Sequence, residues 1–317
     1  MRWDLRPLGA TGLRVSPVTL GGAPLGSMPE NFGYEVAERD AIDLVRAVLD
    51  SGIRTIDTAN GYSGGRSEMR IGKAIAEHGG LPDDALVITK TDAQGSDYSG
   101  ERVRRSLAES RERLGLERLP VVHLHDPEFH DFGAIAGPGG AVEALVAARE
   151  SGEIGHIGLA GGDVRVMRRY LDLDVFDVLL VHNRWTLVDR SAGELIERAR
   201  EKGMGIINAA VLGGGILADR TGRNTTYGYR PAPAATLEAI ERMRGICSRH
   251  GTDLGTAAIR FSTRDPRIDS TIVGISKRER IETTIEAATT ALPDDFWAEL
   301  EQVVPGPENW LDHSQLG

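Results

Sequence analysis

The sequence predicts an α/β fold, a (β/α)8 TIM barrel with a short N-terminal β-hairpin. Eight short apolar segments recur through the 317 residues, each followed by a stretch that reads as helix, the pattern of a parallel sheet with helices outside it. Eight such units imply closure into a barrel. The rival doubly wound sheet carries a Gly-x-Gly-x-x-Gly turn after its first strand, and this chain has none. A barrel of this kind commonly takes about 250 residues as one domain, so residues 1–317 read as a single domain.

In residues 1–16, Leu8-Gly9 and Thr11-Gly12-Leu13-Arg14-Val15-Ser16 alternate around glycine turns, which predicts the hairpin. Val18 to Gly22 is an apolar first strand ending in glycines. A helix follows from Glu38 to Ser51, with Ala41, Leu44, Val45 and Val48 at helical spacing. The second strand, Ile53 to Ile56, is β-branched at three of four positions and stops at Asp57. Asn60-Gly61 and Gly64-Gly65 then turn the chain into a helix over 68–78. Leu86 to Lys90 is the third strand, followed by a helix over 100–114, and Val121 to His125 is the fourth. A glycine-rich loop, 133–140, leads to a helix ending at Ser151-Gly152. Strands five to eight fall at 156–159, 176–181, 205–208 and 271–273, with helices over 164–172, 191–202, 233–264 (broken near Gly251) and 277–289.

Composition narrows the function. Forty per cent hydrophobic residues support a sizeable core, and no apolar run approaches the length needed to span a membrane. The opening Met1-Arg2-Trp3-Asp4 lacks the apolar core of a signal peptide. The single cysteine, Cys247, excludes an internal disulfide and any cysteine-based metal site, and reads as a buried small hydrophobe. A net charge of −10 argues against nucleic acid as the main partner. The expectation is a cytoplasmic protein acting on a small molecule.

Polar residues stand where the apolar strands stop. Asp57, Lys90 and His125 end strands two, three and four, and Tyr62 lies in the loop after strand two. Barrel active sites form at that rim. A phenol with a pKa near 10 is a poor base; a neighbouring lysine cation lowers that pKa, a carboxylate holds the lysine, and a histidine orients the substrate oxygen. Such a phenol can exchange a proton at a carbonyl or alcohol carbon, and without a built-in nucleophile the partner reactant is a bound hydride carrier. From the residues alone, a plain Asp57–Lys90 ion pair and a core histidine stay open. His123, on the same strand face as His125, keeps that choice open too, while His123, His125 and Asp126 lack the spacing of a metal site.

At these residues the chain resembles the aldo-keto reductase superfamily over nearly its whole length. The matching stretches are Leu8-Gly9 to Ser16, Ile56-Asp57-Thr58-Ala59-Asn60-Gly61-Tyr62, Ile88-Thr89-Lys90 and Leu124-His125. The resemblance implies Tyr62 as general acid/base, Lys90 as its modulator, Asp57 as the lysine's partner and His125 as the substrate-orienting group. It implies a nicotinamide cofactor near Gly22 and Asn183. The family often has Ser-Asn where Ala160 and Gly161 stand, and an aromatic ring where Ala209 stands. Leu212, Gly213 and Gly215 match its pyrophosphate loop. Ser276, Lys277 and Arg280, at a helix start suited to phosphate, favour NADP(H) over NAD(H), and Thr284 stands where the family often has an Asn that contacts adenine. No metal is implied.

Within the superfamily, Gly22-Ala23-Pro24-Leu25-Gly26, His125-Asp126-Pro127-Glu128 and Asn183-Arg184-Trp185-Thr186-Leu187 are similar to the aldose 1-dehydrogenase branch, which includes L-fucose (D-threo-aldose) and L-galactose dehydrogenases. That implies oxidation of a sugar lactol to a lactone, with Asp126 and Trp185 as substrate contacts and Tyr227 and Tyr229 either stacking on the sugar or packing. The alternatives are an aldehyde or ketone reductase with the same chemistry, a nicotinamide-binding regulatory barrel, and a metal hydrolase on the same fold.

Overall fold

The computed structural model describes residues 3–29 and 33–312. Parts of the single-domain expectation (residues 1, 2, 30–32 and 313–317, which include the opening Met1-Arg2) lie outside the described residues.

Eight parallel strands close into a barrel: β1 Val18–Gly21, β2 Thr55–Asp57, β3 Leu86–Thr91, β4 Leu119–His125, β5 Ile154–Gly161, β6 Val178–His182, β7 Gly205–Ala209 and β8 Ser270–Gly274, with β8 pairing to both β7 and β1. The pairing register climbs from strand to strand. Asp57 lies opposite Ile88, two residues before Lys90, and Lys90 lies opposite His123, two before His125. Because side chains alternate with period two along a strand, Asp57, Lys90 and His125 share one face, the barrel interior.

That interior is filled below the rim by Leu86, Ile88, Val121, Ala160, Val178, Leu180, Ile207, Ala209 and Ile272. The hairpin, Arg6–Pro7 paired with Arg14–Val15, contributes Leu8 and Val15 to the same cluster and plugs the bottom. Gly205 makes room for it: a Cβ there would stand 2.6 Å from Leu8 Cδ1. A cavity of about 570 Å³ opens beside this plug rather than at the rim, and its Arg200–Asp269 and Asp265–Arg267 charges are already paired.

Outside the barrel run α1 Glu38–Asp50, α2 Arg66–His78, α3 Gly100–Leu114, α4 Ala141–Glu150, α5 Val164–Leu171, α6 Gly193–Glu201, α7 Ala234–Arg249, α8 Leu254–Arg264, α9 Arg280–Thr289 and α10 Asp294–Glu301, along with a one-turn helix at Phe132–Ala136. The apolar stripes of α1–α6 and α9 seal against the outer faces of the strands, while α7 and α10, with part of α8, bury theirs in a second cluster around Leu187, Val188, Ile216 and Leu217. The break foreseen near Gly251 falls there, with φ +68° at Gly251 and Asp253 capping Thr256 N–H of the next helix. Most strands run one or two residues beyond their expected ends, because ladder pairing extends past the apolar run: β5 begins at Ile154 and ends at Gly161. The helix expected from 277 begins at Arg280, after a turn in which Lys277 O accepts Arg280 N–H. Helix α10, which buries Phe296 and Leu300, and a small hairpin, Thr226–Tyr227 with Arg230–Pro231, were not foreseen. Cys247 is buried, as expected. No helix among the described residues is long and apolar enough to cross a membrane.

Candidate active site

Asp57, Tyr62, Lys90 and His125 converge at the strand ends. Lys90 Nζ donates to Asp57 Oδ1 at 2.6 Å and to Thr58 O at 2.7 Å, and lies 3.4 Å from Tyr62 Oη. The side chains of Lys90 and Asp57 are only 2% and 4% exposed, so the pair depends on geometry of this quality to offset its desolvation. The His125 ring meets the Tyr62 ring edge-on, with centroids 5.7 Å apart.

The loop that delivers Tyr62 is braced from outside the barrel. Asn60 N–H donates to Lys90 O, while its Nδ2 donates to Ser106 O, Glu109 Oε2 and Ser110 Oγ of α3. Arg102 Nη2 reaches Asn60 Oδ1 at 2.8 Å, and Arg113 Nη1 reaches Asn60 O at 3.1 Å. Ser63, Gly64 and Gly65, all at positive φ, then turn the chain into α2.

Burial holds the Tyr62 phenol well above its ordinary pKa, and the carboxylates of Asp57, Asp126 and Asp92 reinforce it. Lys90, 3.4 Å away, does not bring the phenol below its ordinary range: the loss of water around the phenolate outweighs one nearby cation. Burial also pushes the Asp57 carboxyl up, against the pull of Lys90. For His125, burial alone would pull the imidazole down, but Asp126 and Asp92 outweigh it and lift it to about 9. His123 is fully buried over Gly158 and pulled well down by that burial, a core histidine.

Two polar residues at the site escaped the sequence reading. Asp92 Oδ1 is 2.6 Å from His125 Nδ1, and Asp92 Oδ2 accepts Gly61 N–H at 2.6 Å. His182 Nε2 lies 3.5 Å from Asp126 Oδ1. The available signal was period-two spacing, since Asp92 follows Lys90 by two residues and His182 follows Leu180 by two. Asp126, at φ +44°, is brought to the mouth, with Oδ2 3.8 Å from His125 Nε2. Ligand-type atoms of Asp126, Glu128 and His182 lie within 4.8 Å of one another, but Glu128 Oε1 is bonded to Gly162 N–H at 2.6 Å.

Trp185 goes elsewhere. Its Nε1 donates to Asp265 Oδ2 and its ring packs on Phe261, Arg190 and Arg267, so the expected substrate contact is corrected to a brace beside α8. Tyr227 is likewise a packing residue: buried, it donates to Asn183 O at 2.5 Å and holds that residue at φ +60°. Tyr229 is 63% exposed, and its partial burial together with the Asp126 carboxylate holds its phenol above the ordinary pKa.

Of the expected cofactor residues, Gly22, Ala160, Asn183 and Ala209 stand at strand ends around the rim: Gly22 N–H bonds Asp57 O, Ala160 pairs with His125, and Asn183 N–H bonds Ala209 O. Gly161 is fitted against Glu128, whose Oε2 would lie 2.5 Å from a Cβ there. Leu212, Gly213 and Gly215 form a tight turn with glycines at positive φ. Ser276, Lys277 and Arg280 lead into α9, with Lys277 and Arg280 exposed and free of ion pairs among the described residues; Thr284 is buried. Asn183 Oδ1 is buried without a hydrogen-bond partner. An orphaned amide oxygen at the rim and two free cations beside a helix start fit a nicotinamide dinucleotide.

A closed parallel barrel carrying a buried lysine–carboxylate pair under a tyrosine and a histidine defines a class of barrel oxidoreductases. The Aldo/keto reductase family model matches residues 17–305, and the chain belongs to that family. It is an NAD(P)-dependent oxidoreductase. It is 32% identical to an L-galactose dehydrogenase of Arabidopsis thaliana (90% of this chain, 88% of the relative) and 30% identical to a D-threo-aldose 1-dehydrogenase of a Pseudomonas species (94% and 97%). It is also 30% identical to a pyridoxal 4-dehydrogenase of Microbacterium luteolum, over 94% of this chain and 96% of the relative. The solved holo structure of an aldo-keto reductase from Bacillus halodurans superposes with a TM-score of 0.76 at 20% identity, covering 95% of this chain and 96% of that one, which shows the fold.

Proposed function

We propose that the protein oxidises a cyclic aldose at C1 to its lactone, with Tyr62 as general acid/base. The observation that carries this reading is Lys90 Nζ, bonded to Asp57 and 3.4 Å from Tyr62 Oη, in a chain similar to aldose dehydrogenases. Bound NAD(P)⁺ supplies the hydride acceptor. Tyr62 Oη takes the C1 hydroxyl proton, and Lys90, anchored by Asp57, stabilises the charge that develops on that oxygen. His125 Nε2 orients the C1 oxygen, while Asp126 and His182 offer polar partners to the ring hydroxyls. Asn183 holds the nicotinamide amide, Leu212, Gly213 and Gly215 wrap the pyrophosphate, and Ser276, Lys277 and Arg280 hold the adenosine phosphate, which favours NADP(H). The same reading takes residues 1–317 as one cytoplasmic barrel domain.

A second reading, reduction of aldehydes or ketones by NADPH, is favoured by one observation: burial keeps Tyr62 protonated, the form that donates a proton to a carbonyl oxygen.

The test follows nicotinamide absorbance with NADP⁺ or NAD⁺ against L-galactose, L-fucose, D-arabinose and pyridoxal, with Tyr62→Phe alongside. Turnover of an aldose that collapses in the variant supports the dehydrogenase. Silence on sugars with brisk reduction of simple aldehydes by NADPH replaces it with the reductase, and silence in both directions despite cofactor binding leaves a regulatory barrel.

A further inference from the structure

We infer that Asp92 is a positioning residue that locks His125 and the Tyr62 loop into one unit by accepting Nδ1–H of the imidazolium, so that its Nε2–H is presented to the substrate oxygen. The inference deepens the reading above and rests on it for its catalytic meaning.

The geometry is two-handed. One carboxylate oxygen of Asp92 takes His125 Nδ1 at 2.6 Å; the other takes Gly61 N–H, immediately before Tyr62, also at 2.6 Å. A single rigid group thus sets the spacing between the phenol and the imidazole, whose rings meet 5.7 Å apart. Asp92 is itself held from behind. Arg102 Nε donates to Asp92 O at 3.1 Å while the same guanidinium holds Asn60 Oδ1 at 2.8 Å, so α3 ties together the loops after β2 and β3. Gly61 leaves space for the carboxylate: a Cβ there would stand 2.9 Å from Asp92 Cγ.

Second-neighbour carboxylates of this kind orient an imidazole and stabilise its charged form. The groups facing His125 are Asp92 and Lys90 from β3 and its end, Asp57 from β2, Tyr62 from the following loop, Tyr98 ahead of α3 (its hydroxyl accepts His125 N–H at 2.8 Å), His123 on its own strand, and Asp126 with His182 at the mouth. Lys90 opposes the charge; Asp92, in direct contact, and Asp126 favour it. With Nδ1–H committed to Asp92, Nε2–H points to the mouth at neutral pH.

The experiment is imidazole NMR titration of the full chain without ligand, with the His125 signal assigned by its loss in His125→Gln. In the unmodified protein His125 is expected to stay protonated through neutral pH. In Asp92→Asn, which retains size but loses the charge and one of the two oxygens that accept His125 Nδ1–H and Gly61 N–H, the midpoint is expected to fall by about one unit or more. Beside it, kcat on the best substrate is expected to fall on the order of tenfold with an altered pH profile, while the Kd for the oxidised cofactor holds within about twofold. An unmodified His125 that is neutral at pH 7, or a midpoint unmoved by Asp92→Asn, overturns the inference whatever the turnover. If Asp92→Asn does not fold, the unmodified protein's titration decides alone. Absence of turnover on every substrate with the midpoint shift intact removes the proposed reaction and leaves the coupling standing.

Discussion

Lys90 Nζ and Asp57 Oδ1 sit 2.6 Å apart with almost no access to water. Removing one member leaves the other charge buried and uncompensated, which typically costs about 3–5 kcal/mol. Lys90→Met is expected to lower stability less than Asp57→Asn, because it removes the cation and leaves a carboxyl that burial already pushes toward neutrality. Thermal unfolding of the two variants checks the order; equal melting temperatures would refute it.

The raised Tyr62 pKa sets the pH dependence of turnover. A phenol that stays protonated at neutral pH is in the right form to donate and the wrong form to accept. Oxidation is therefore expected to accelerate with rising pH, while reduction stays level around neutrality. Tyr62→Phe is expected to lose about 10²–10⁴ in kcat both ways, with cofactor Kd unchanged. Initial rates across pH in each direction decide this, and an oxidation rate that is flat from neutral upward would contradict it.

Asn60 is the hub through which α3 holds the Tyr62 loop. Asn60→Ala leaves Arg102 and buried α3 acceptors short of a partner, at about 1–3 kcal/mol. The expected outcome is a lower melting temperature together with a lower kcat, since the loop and Tyr62 move as one. A stability loss with kcat intact would separate the brace from the site.

At the opposite end, Gly205→Ala drives a methyl against Leu8 of the plug. Overpacking of this kind costs about 1–3 kcal/mol. Denaturant unfolding is expected to show that loss, while kcat at the distant rim stays within about twofold of the parent.

Lys277→Ala and Arg280→Ala test the phosphate site. Loss of charge-assisted contacts to the adenosine phosphate is expected to weaken NADP⁺ by about tenfold each and NAD⁺ much less. Equal weakening of both cofactors, measured by fluorescence titration, would move the phosphate contact elsewhere.

The barrel was legible because its signal is local and repeated. Each apolar strand and helical stripe announces itself within a few residues, and Asp57, Lys90 and His125 stand where three such strands stop. Boundaries such as Ile154–Gly161 for β5 were less legible, since pairing with both neighbours, rather than the segment's own composition, extends the strand. Trp185 looked like a substrate contact from its place after β6, yet its indole found Asp265, eighty residues away in sequence.

By itself, then, the sequence determined the fold class and the rim positions of Asp57, Lys90 and His125, because period-two alternation and strand ends translate directly into direction in space; the grouping of those three with Tyr62 as one catalytic site rested on the family resemblance. Only the tertiary structure decided what surrounds them: Asp92 on His125, His182 on Asp126, and Asn60 and Asp92 gathered by Arg102. Those partners come from different strands and a helix, and burial sets the phenol's protonation against the lysine beside it. Both depend on register and desolvation, which exist only once the sheet has closed.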